Sequence, residues 1–139
     1  MSSMISIIEG DLFTYGGHVA HCVSRDFHMG AGIALLFKKL YGSVDVLLAQ
    51  DCKIGQVASL KVDSRFIFYL VTKDKYYEKP TLKDLRSSLE SLHSICIEKE
   101  IEEIAMPKIG CGLDKLKWND VYDILVELFT NIRVIIYVL

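Results

Sequence analysis

The strongest constraint on the fold is one segment, Arg65–Thr72 (Arg-Phe-Ile-Phe-Tyr-Leu-Val-Thr). It is aromatic, β-branched or otherwise apolar along nearly its whole length and shows no polar/apolar alternation. A strand with one wetted face alternates, whereas a strand apolar at nearly every position is covered on both faces, which calls for helices on either side of a sheet. Met4–Ile8, Val19–Val23, Val57–Leu60, Ile104–Met106 and Ile132–Leu139 are further strand candidates. Between them the spacing predicts a helix over Ile33–Tyr41, with Leu36, Phe37 and Leu40 on one side. A second begins at Pro80-Thr81 with Asp84 in its first turn and carries Leu85, Leu89, Leu92 and Cys96. A third is marked by Trp118, Val121, Leu125 and Leu128. Strands alternating with helices in this way predict an α/β sandwich around a largely parallel central sheet, and 139 residues suit one domain.

Charge narrows the class of partner. Sixteen basic against eighteen acidic residues leave a formal charge of −2, which encodes no strong attraction to bare nucleic acid or to an anionic membrane. Neither sequence-specific nucleic-acid binding nor membrane attachment is expected. A phosphate-bearing ligand held by backbone groups is compatible with that balance. The longest apolar runs, such as Phe66 to Val71 and Val134 to Leu139, are too short to cross a bilayer. The N-terminus reaches Glu9 and Asp11 without a basic leader, so no signal peptide is expected. Cys22, Cys52, Cys96 and Cys111 form no CxxC pair and read as reduced thiols of a cytoplasmic or nuclear protein.

In open α/β sheets, ligands bind beyond the C-terminal ends of the strands. Three segments are expected to meet there. Ser24 to Ala34 (Ser-Arg-Asp-Phe-His-Met-Gly-Ala-Gly-Ile-Ala) runs from a strand exit through small residues into a helix, where close backbone approach and a helix N-terminus suit a phosphate or diphosphate. Pro107 to Asp114 (Pro-Lys-Ile-Gly-Cys-Gly-Leu-Asp) is a second G-x-G loop of the same kind. Either loop alone is a weak signal; an ordinary strand–helix connection looks similar. Neither is followed by G-K-[ST], and neither completes G-x-G-x-x-G, which disfavours ATP hydrolysis and the usual dinucleotide fold.

The third segment is Thr72-Lys73, ending the most apolar strand. A partly desolvated lysine favours its neutral amine, as a nucleophile requires, although a solvated strand-end lysine is the plainer reading. Asp114 is a candidate partner for it. Asp11 follows the first strand and is either a turn former or an acceptor for an adenine amino group. Cys111 between two glycines is a candidate nucleophile or a packing residue. His21 and His28 lack metal-ligand spacing, so no metal site is expected, and His93 reads as a helix-surface residue.

Taken together, Glu9-Gly10-Asp11-Leu12-Phe13, Ala20-His21-Cys22-Val23-Ser24, Met29-Gly30-Ala31-Gly32-Ile33-Ala34 and Pro107 to Asp114 resemble a macro domain, in its terminal ADP-ribose protein glycohydrolase branch. Leu36-Phe37-Lys38-Lys39, Tyr69 to Lys73, Lys79-Pro80-Thr81 and Leu116-Lys117-Trp118 fall in that family's order, and the resemblance runs from about Ile5 to Leu139. It implies a three-layer α/β/α sandwich with a mixed, largely parallel six-stranded sheet, binding ADP-ribose across the sheet's C-terminal edge. Lys73 would be the nucleophile, Asp114 the acid/base, and Asp11 the adenine contact. Leu12, His21, Ser24, Met29, Gly30, Ala31, Gly32, Ile33, Thr72, Pro107, Ile109, Gly110, Cys111, Gly112, Leu113 and Leu139 would bind substrate. The general macro domain pattern has an asparagine-rich stretch where His21-Cys22-Val23-Ser24 stands. This departure is typical of the branch and argues against an asparagine-dependent mechanism.

The implied activity is removal of ADP-ribose from acidic protein side chains or from a nucleobase in DNA, without a cofactor and by a monomer. A non-catalytic ADP-ribose reader and an O-acetyl-ADP-ribose deacylase are the alternatives. Binding alone needs Asp11 and the glycine loops; only catalysis needs Lys73 and Asp114.

Overall fold

The structure, a computed structural model, describes residues 4–139. Six strands form one sheet: β1 (Ile5–Glu9), β2 (Val19–Ser24), β3 (Val57–Val62), β4 (Arg65–Lys73), β5 (Glu103–Met106) and β6 (Arg133–Val138). Their order is β1-β6-β5-β2-β4-β3, with every neighbouring pair parallel except β3 and β4. The helices are α1 (Gly32–Tyr41), α2 (Val44–Ala49), α3 (Leu82–Glu98) and α4 (Trp118–Leu128).

Strand pleating sorts the apolar side chains onto two faces. From β4, Phe68 and Leu70 join Leu85, Leu89, Leu92 and Cys96 of α3 and Val121 and Leu125 of α4. Ile67, Tyr69 and Val71 point the other way, toward Phe37 of α1 and Leu47 of α2. Burying each large aliphatic side chain in these layers contributes roughly 1.5–3 kcal/mol. The three-layer sandwich expected from β4 is therefore present, and every residue from Ile67 to Thr72 is buried. Thr81 caps α3 through its hydroxyl, which accepts from the Asp84 N–H at 3.1 Å.

Three expectations need correction. The stripe expected on α1 is narrower than Leu36, Phe37 and Leu40, because only Phe37 is buried while Leu36 and Leu40 are about half exposed. The edge strand β1 is not covered on both faces: Ile7 and Ile8 are exposed. The short helix α2 falls where the sequence spacing predicted none; it follows Ser43, which sits in left-handed backbone without a capping side-chain hydrogen bond.

Candidate active site

The sheet topology makes neighbours of the three segments singled out in the sequence. They leave β2, β4 and β5, which lie side by side and run parallel, so all three exits reach one edge. β2 and β4 stay in register from Val19↔Ile67 to Val23↔Val71, whereas β2 and β5 are registered only through Val19↔Ala105. The short β2–β5 ladder leaves a gap between the strands' C-terminal ends. A cleft of about 700 Å³ opens there, within the range of small-molecule sites.

Lys73 and Asp114 lie in this cleft. Lys73 Nζ is 2.7 Å from Asp114 Oδ1, and their side chains are only 13% and 16% exposed. A bulge between Val23 and Ser24 shifts the β2–β4 register so that Ser24 pairs with Lys73, and the Arg25 N–H donates to the Lys73 carbonyl at 2.8 Å. The lysine is thus anchored by its strand, and a nearby carboxylate can take its proton. The plain strand-end lysine in solvent does not describe this geometry.

Both glycine loops line the cleft, through Gly30, Ala31, Gly32 and Ile33 on one side and Ile109, Gly110, Gly112 and Leu113 on the other. Ala31 precedes α1 and no side chain caps the helix, so its first N–H groups face the cleft as an anion-binding end. Gly110 is required sterically: its φ is +73°, and a Cβ there would lie 3.0 Å from Leu116 Cδ1 and 3.2 Å from Leu85 Cδ2. Phe27 and Met29, at φ 51° and 45°, hold left-handed backbone without being glycine. Burial of both side chains in the α1–α2 core maintains that strained loop.

Asp26 ties this loop to the one following β4. Its Oδ1 accepts from the Ser24 hydroxyl and from the His28 N–H at 3.1 Å, while Oδ2 accepts from the Tyr76 N–H at 3.2 Å. Burial pushes the Asp26 carboxyl up, but these hydrogen bonds outweigh it and hold the group below the usual carboxylate range. Lys79 bridges the mouth from that second loop by donating to the Leu113 carbonyl at 2.6 Å.

Of the other expected residues, Ser24, Met29 and Pro107 line the cleft. His21 also lines it, but the residue is fully buried and its ring stacks on Phe37 at 3.8 Å between centroids. Both ring nitrogens are buried, and burial pushes the imidazole down to about 3 against a weaker opposing contact with the Cys22 backbone.

Asp11, Leu12, Thr72, Cys111 and Leu139 do not line the cleft. Asp11 lies at the same sheet edge after β1, where Oδ1 accepts from the Phe13 N–H at 3.0 Å and caps a short 3-10 turn. Leu12 is a core side chain, the Thr72 hydroxyl is buried, and Leu139 is fully exposed. Burial pushes the Cys111 thiol up, and Sγ donates to the Ile109 carbonyl, so nothing activates it as a nucleophile. Burial likewise pushes up the thiol of Cys22, which lines the cleft. Among the described residues no cluster of three or more His, Cys, Asp or Glu could hold a metal ion.

The sequence reading missed Asp26, His28, Tyr76, Tyr77 and Lys79 as site residues. Only Asp26 carried a local signal, an acid two residues after a serine at a strand exit, which is a common turn-forming arrangement.

Comparison with known proteins bears on the whole chain. It is 48% identical over 141 aligned residues to the Bos taurus protein named ADP-ribose glycohydrolase OARD1, covering 99% of this chain and 93% of the relative. The Homo sapiens protein of the same name is 46% identical with the same coverage. Among solved structures, the macrodomain of Mycobacterium tuberculosis DarG superposes with a TM-score of 0.88 at 26% identity, covering 98% of each chain. The macrodomain of Thermus aquaticus DarG shares the fold, with a TM-score of 0.86 at 21% identity over 99% of this chain and all of that one. The Macro domain family model matches residues 20–125, which take in β2, β4, β5 and both glycine loops, and the chain belongs to the macro domain family.

Proposed function

We propose that this protein is an ADP-ribosyl hydrolase that uses Lys73 as nucleophile and Asp114 as acid/base. The observation that carries the reading is the 2.7 Å contact between Lys73 Nζ and Asp114 Oδ1 in a cleft walled by two glycine loops. Binding ADP-ribose requires no such pair, so the pair favours an enzyme over a reader. The name ADP-ribose glycohydrolase shared by the two mammalian relatives supports the same reaction class.

In this reading the diphosphate lies against the backbone N–H groups of the two loops and the N-terminus of α1. That sets the distal ribose over Lys73. Asp11, at the edge of the sheet, receives the adenine amino group. Asp114 takes a proton from Nζ, and the freed amine attacks the anomeric carbon of the distal ribose. The Nζ–C1″ bond forms as the bond from C1″ to the acceptor breaks. Asp114 returns its proton to the departing carboxylate or base. Water then cleaves Nζ–C1″ with Asp114 as base, which releases ADP-ribose and restores the lysine.

The test is release of free ADP-ribose, followed chromatographically, from a glutamate-linked peptide and from a base-linked oligonucleotide. Release from at least one is expected. Tight ADP-ribose binding without release from either would make the protein a reader.

A further inference from the structure

The β2–α1 loop and the loop after β4 diverge just beyond Lys73. The Arg25 N–H donates to the Lys73 carbonyl at 2.8 Å, and past that bond, among the described residues, no backbone hydrogen bond joins residues 26–31 to residues 74–81. From there the two loops are held by side chains. Arg25 reaches Asp74 at 3.8 Å, but both side chains are well exposed, and such pairs contribute little. The His28 and Tyr76 rings stack at 3.9 Å between centroids, again on the exposed surface. Asp26 makes the stronger tie, because its carboxylate uses both oxygens. Oδ1 accepts from the Ser24 hydroxyl and the His28 N–H on its own loop, and Oδ2 accepts from the Tyr76 N–H on the other. The His28 N–H lies between Phe27 and Met29, both in left-handed backbone.

We propose that Asp26 is a positioning residue for the reaction, whose carboxylate sets the loop of Gly30, Ala31 and Gly32 at a fixed offset from Lys73. The inference rests on the hydrolase reading above, in which that loop holds the diphosphate and Lys73 attacks the distal ribose. Gly30 stands four residues after Asp26, and Lys73 stands three residues before Tyr76, so the carboxylate joins the two parts at short range. The diphosphate fixes where the anomeric carbon lies, and a nucleophile misplaced by about 1 Å can lose on the order of a hundredfold in rate. Asp26 does not line the cleft, so it acts through the loops and not on the substrate. The role needs a carboxylate, because both of its oxygens must accept. An amide of the same shape offers one oxygen and one NH2 group, and that NH2 would face a backbone N–H on one side or the other.

The test compares Asp26→Asn and Asp26→Glu with the unaltered protein, on whichever of the glutamate-linked peptide and the base-linked oligonucleotide the latter hydrolyses. Single-turnover rate and ADP-ribose affinity are measured separately. The asparagine oxygen is best placed at the Oδ1 position, where it meets two donors, so the β2–α1 loop keeps its shape while the tie to Tyr76 is lost. Asp26→Asn should therefore bind ADP-ribose almost as well as the unaltered protein and lose about tenfold or more in single-turnover rate. In amide hydrogen exchange its Tyr76 N–H should exchange faster, with the His28 N–H still protected. Asp26→Glu, a poorer match in shape but with two accepting oxygens, should keep more of the rate than Asp26→Asn. An unchanged rate in Asp26→Asn, a loss of affinity matching its loss of rate, or a slower rate in Asp26→Glu than in Asp26→Asn would overturn the positioning role. Absence of turnover by the unaltered protein would instead overturn the hydrolase reading, and the proposal with it.

Discussion

At the scale of single residues, the two groups with the most unusual surroundings have opposite uses. Lys73 and Asp114 are nearly buried yet paired across the cleft, in position for proton transfer. His21 is fully buried, stacked on Phe37 and edge-on to Tyr69, which makes it a packing residue with an electrostatic cost. Its imidazole is pushed from the ordinary 6.5 to about 3, so between those pH values the unfolded chain binds a proton that the folded chain does not. Stability from this group is complete above about pH 6.5 and is lost as pH falls toward 3, with a slope of at most ~1.4 kcal/mol per pH unit. Urea unfolding across that range should show His21→Leu gaining on the unaltered protein as pH falls. A constant difference between the two would mean that the histidine titrates normally in the fold.

At the scale of elements, the site is a property of loops held by the strands they leave. The β2–α1 loop combines the open end of α1, left-handed backbone at Phe27 and Met29, and the Asp26 tie to the loop after β4. The β5–α4 loop faces it with Gly110 and Gly112. A Cβ at Gly112 would meet nothing within 4 Å, so Gly112→Glu should fold normally while setting a carboxylate where a diphosphate approaches. Calorimetry should show at least a tenfold loss of ADP-ribose affinity, with thermal unfolding unchanged. Wild-type affinity in this variant would remove the β5–α4 loop from the diphosphate site.

Legibility in the sequence followed the same division. β4 and α3 were readable because each buries an unbroken pattern: Ile67 to Thr72 on both faces of the sheet, and Leu85, Leu89, Leu92 and Cys96 along one stripe. α2 escaped because six residues are too few to display helical periodicity and no capping hydrogen bond marks its start. Leu36 and Leu40 misled because apolar residues also occur singly at surfaces. Lys73, Asp114 and both glycine loops were legible as strand-exit residues, and the resemblance to a family assigned them together. The contact of His28 with Tyr76 was not, because the two lie 48 positions apart and come together only in the fold, where their rings stack and Asp26 ties their backbones.

At the scale of the whole molecule, one topological fact organises the chemistry. β5, β2 and β4 are parallel neighbours from three distant parts of the chain, and their exits bring two cleft-lining loops and one lysine to a single edge. The helical layers serve this arrangement by burying both faces of the sheet, which fixes the strands and therefore the distance from Lys73 to Asp114. The antiparallel strand β3 and the half-exposed strand β1 close the two ends of the sheet. The formal charge of −2 fits the proposal that an anionic ligand is held by backbone N–H groups and a helix end.

The most direct measurement is intact-protein mass spectrometry during turnover of an ADP-ribosylated substrate, with the unaltered protein, Asp114→Ala and Lys73→Ala run side by side. The account predicts a lysyl–ADP-ribose adduct trapped on Asp114→Ala and mapped by peptide analysis to Lys73. It predicts no adduct and no turnover from Lys73→Ala, which should still bind ADP-ribose. Because the two residues act as a unit, removing both should cost little more rate than removing either. Turnover by Lys73→Ala at the wild-type rate would contradict the account and leave an activated water, not the lysine, as the nucleophile.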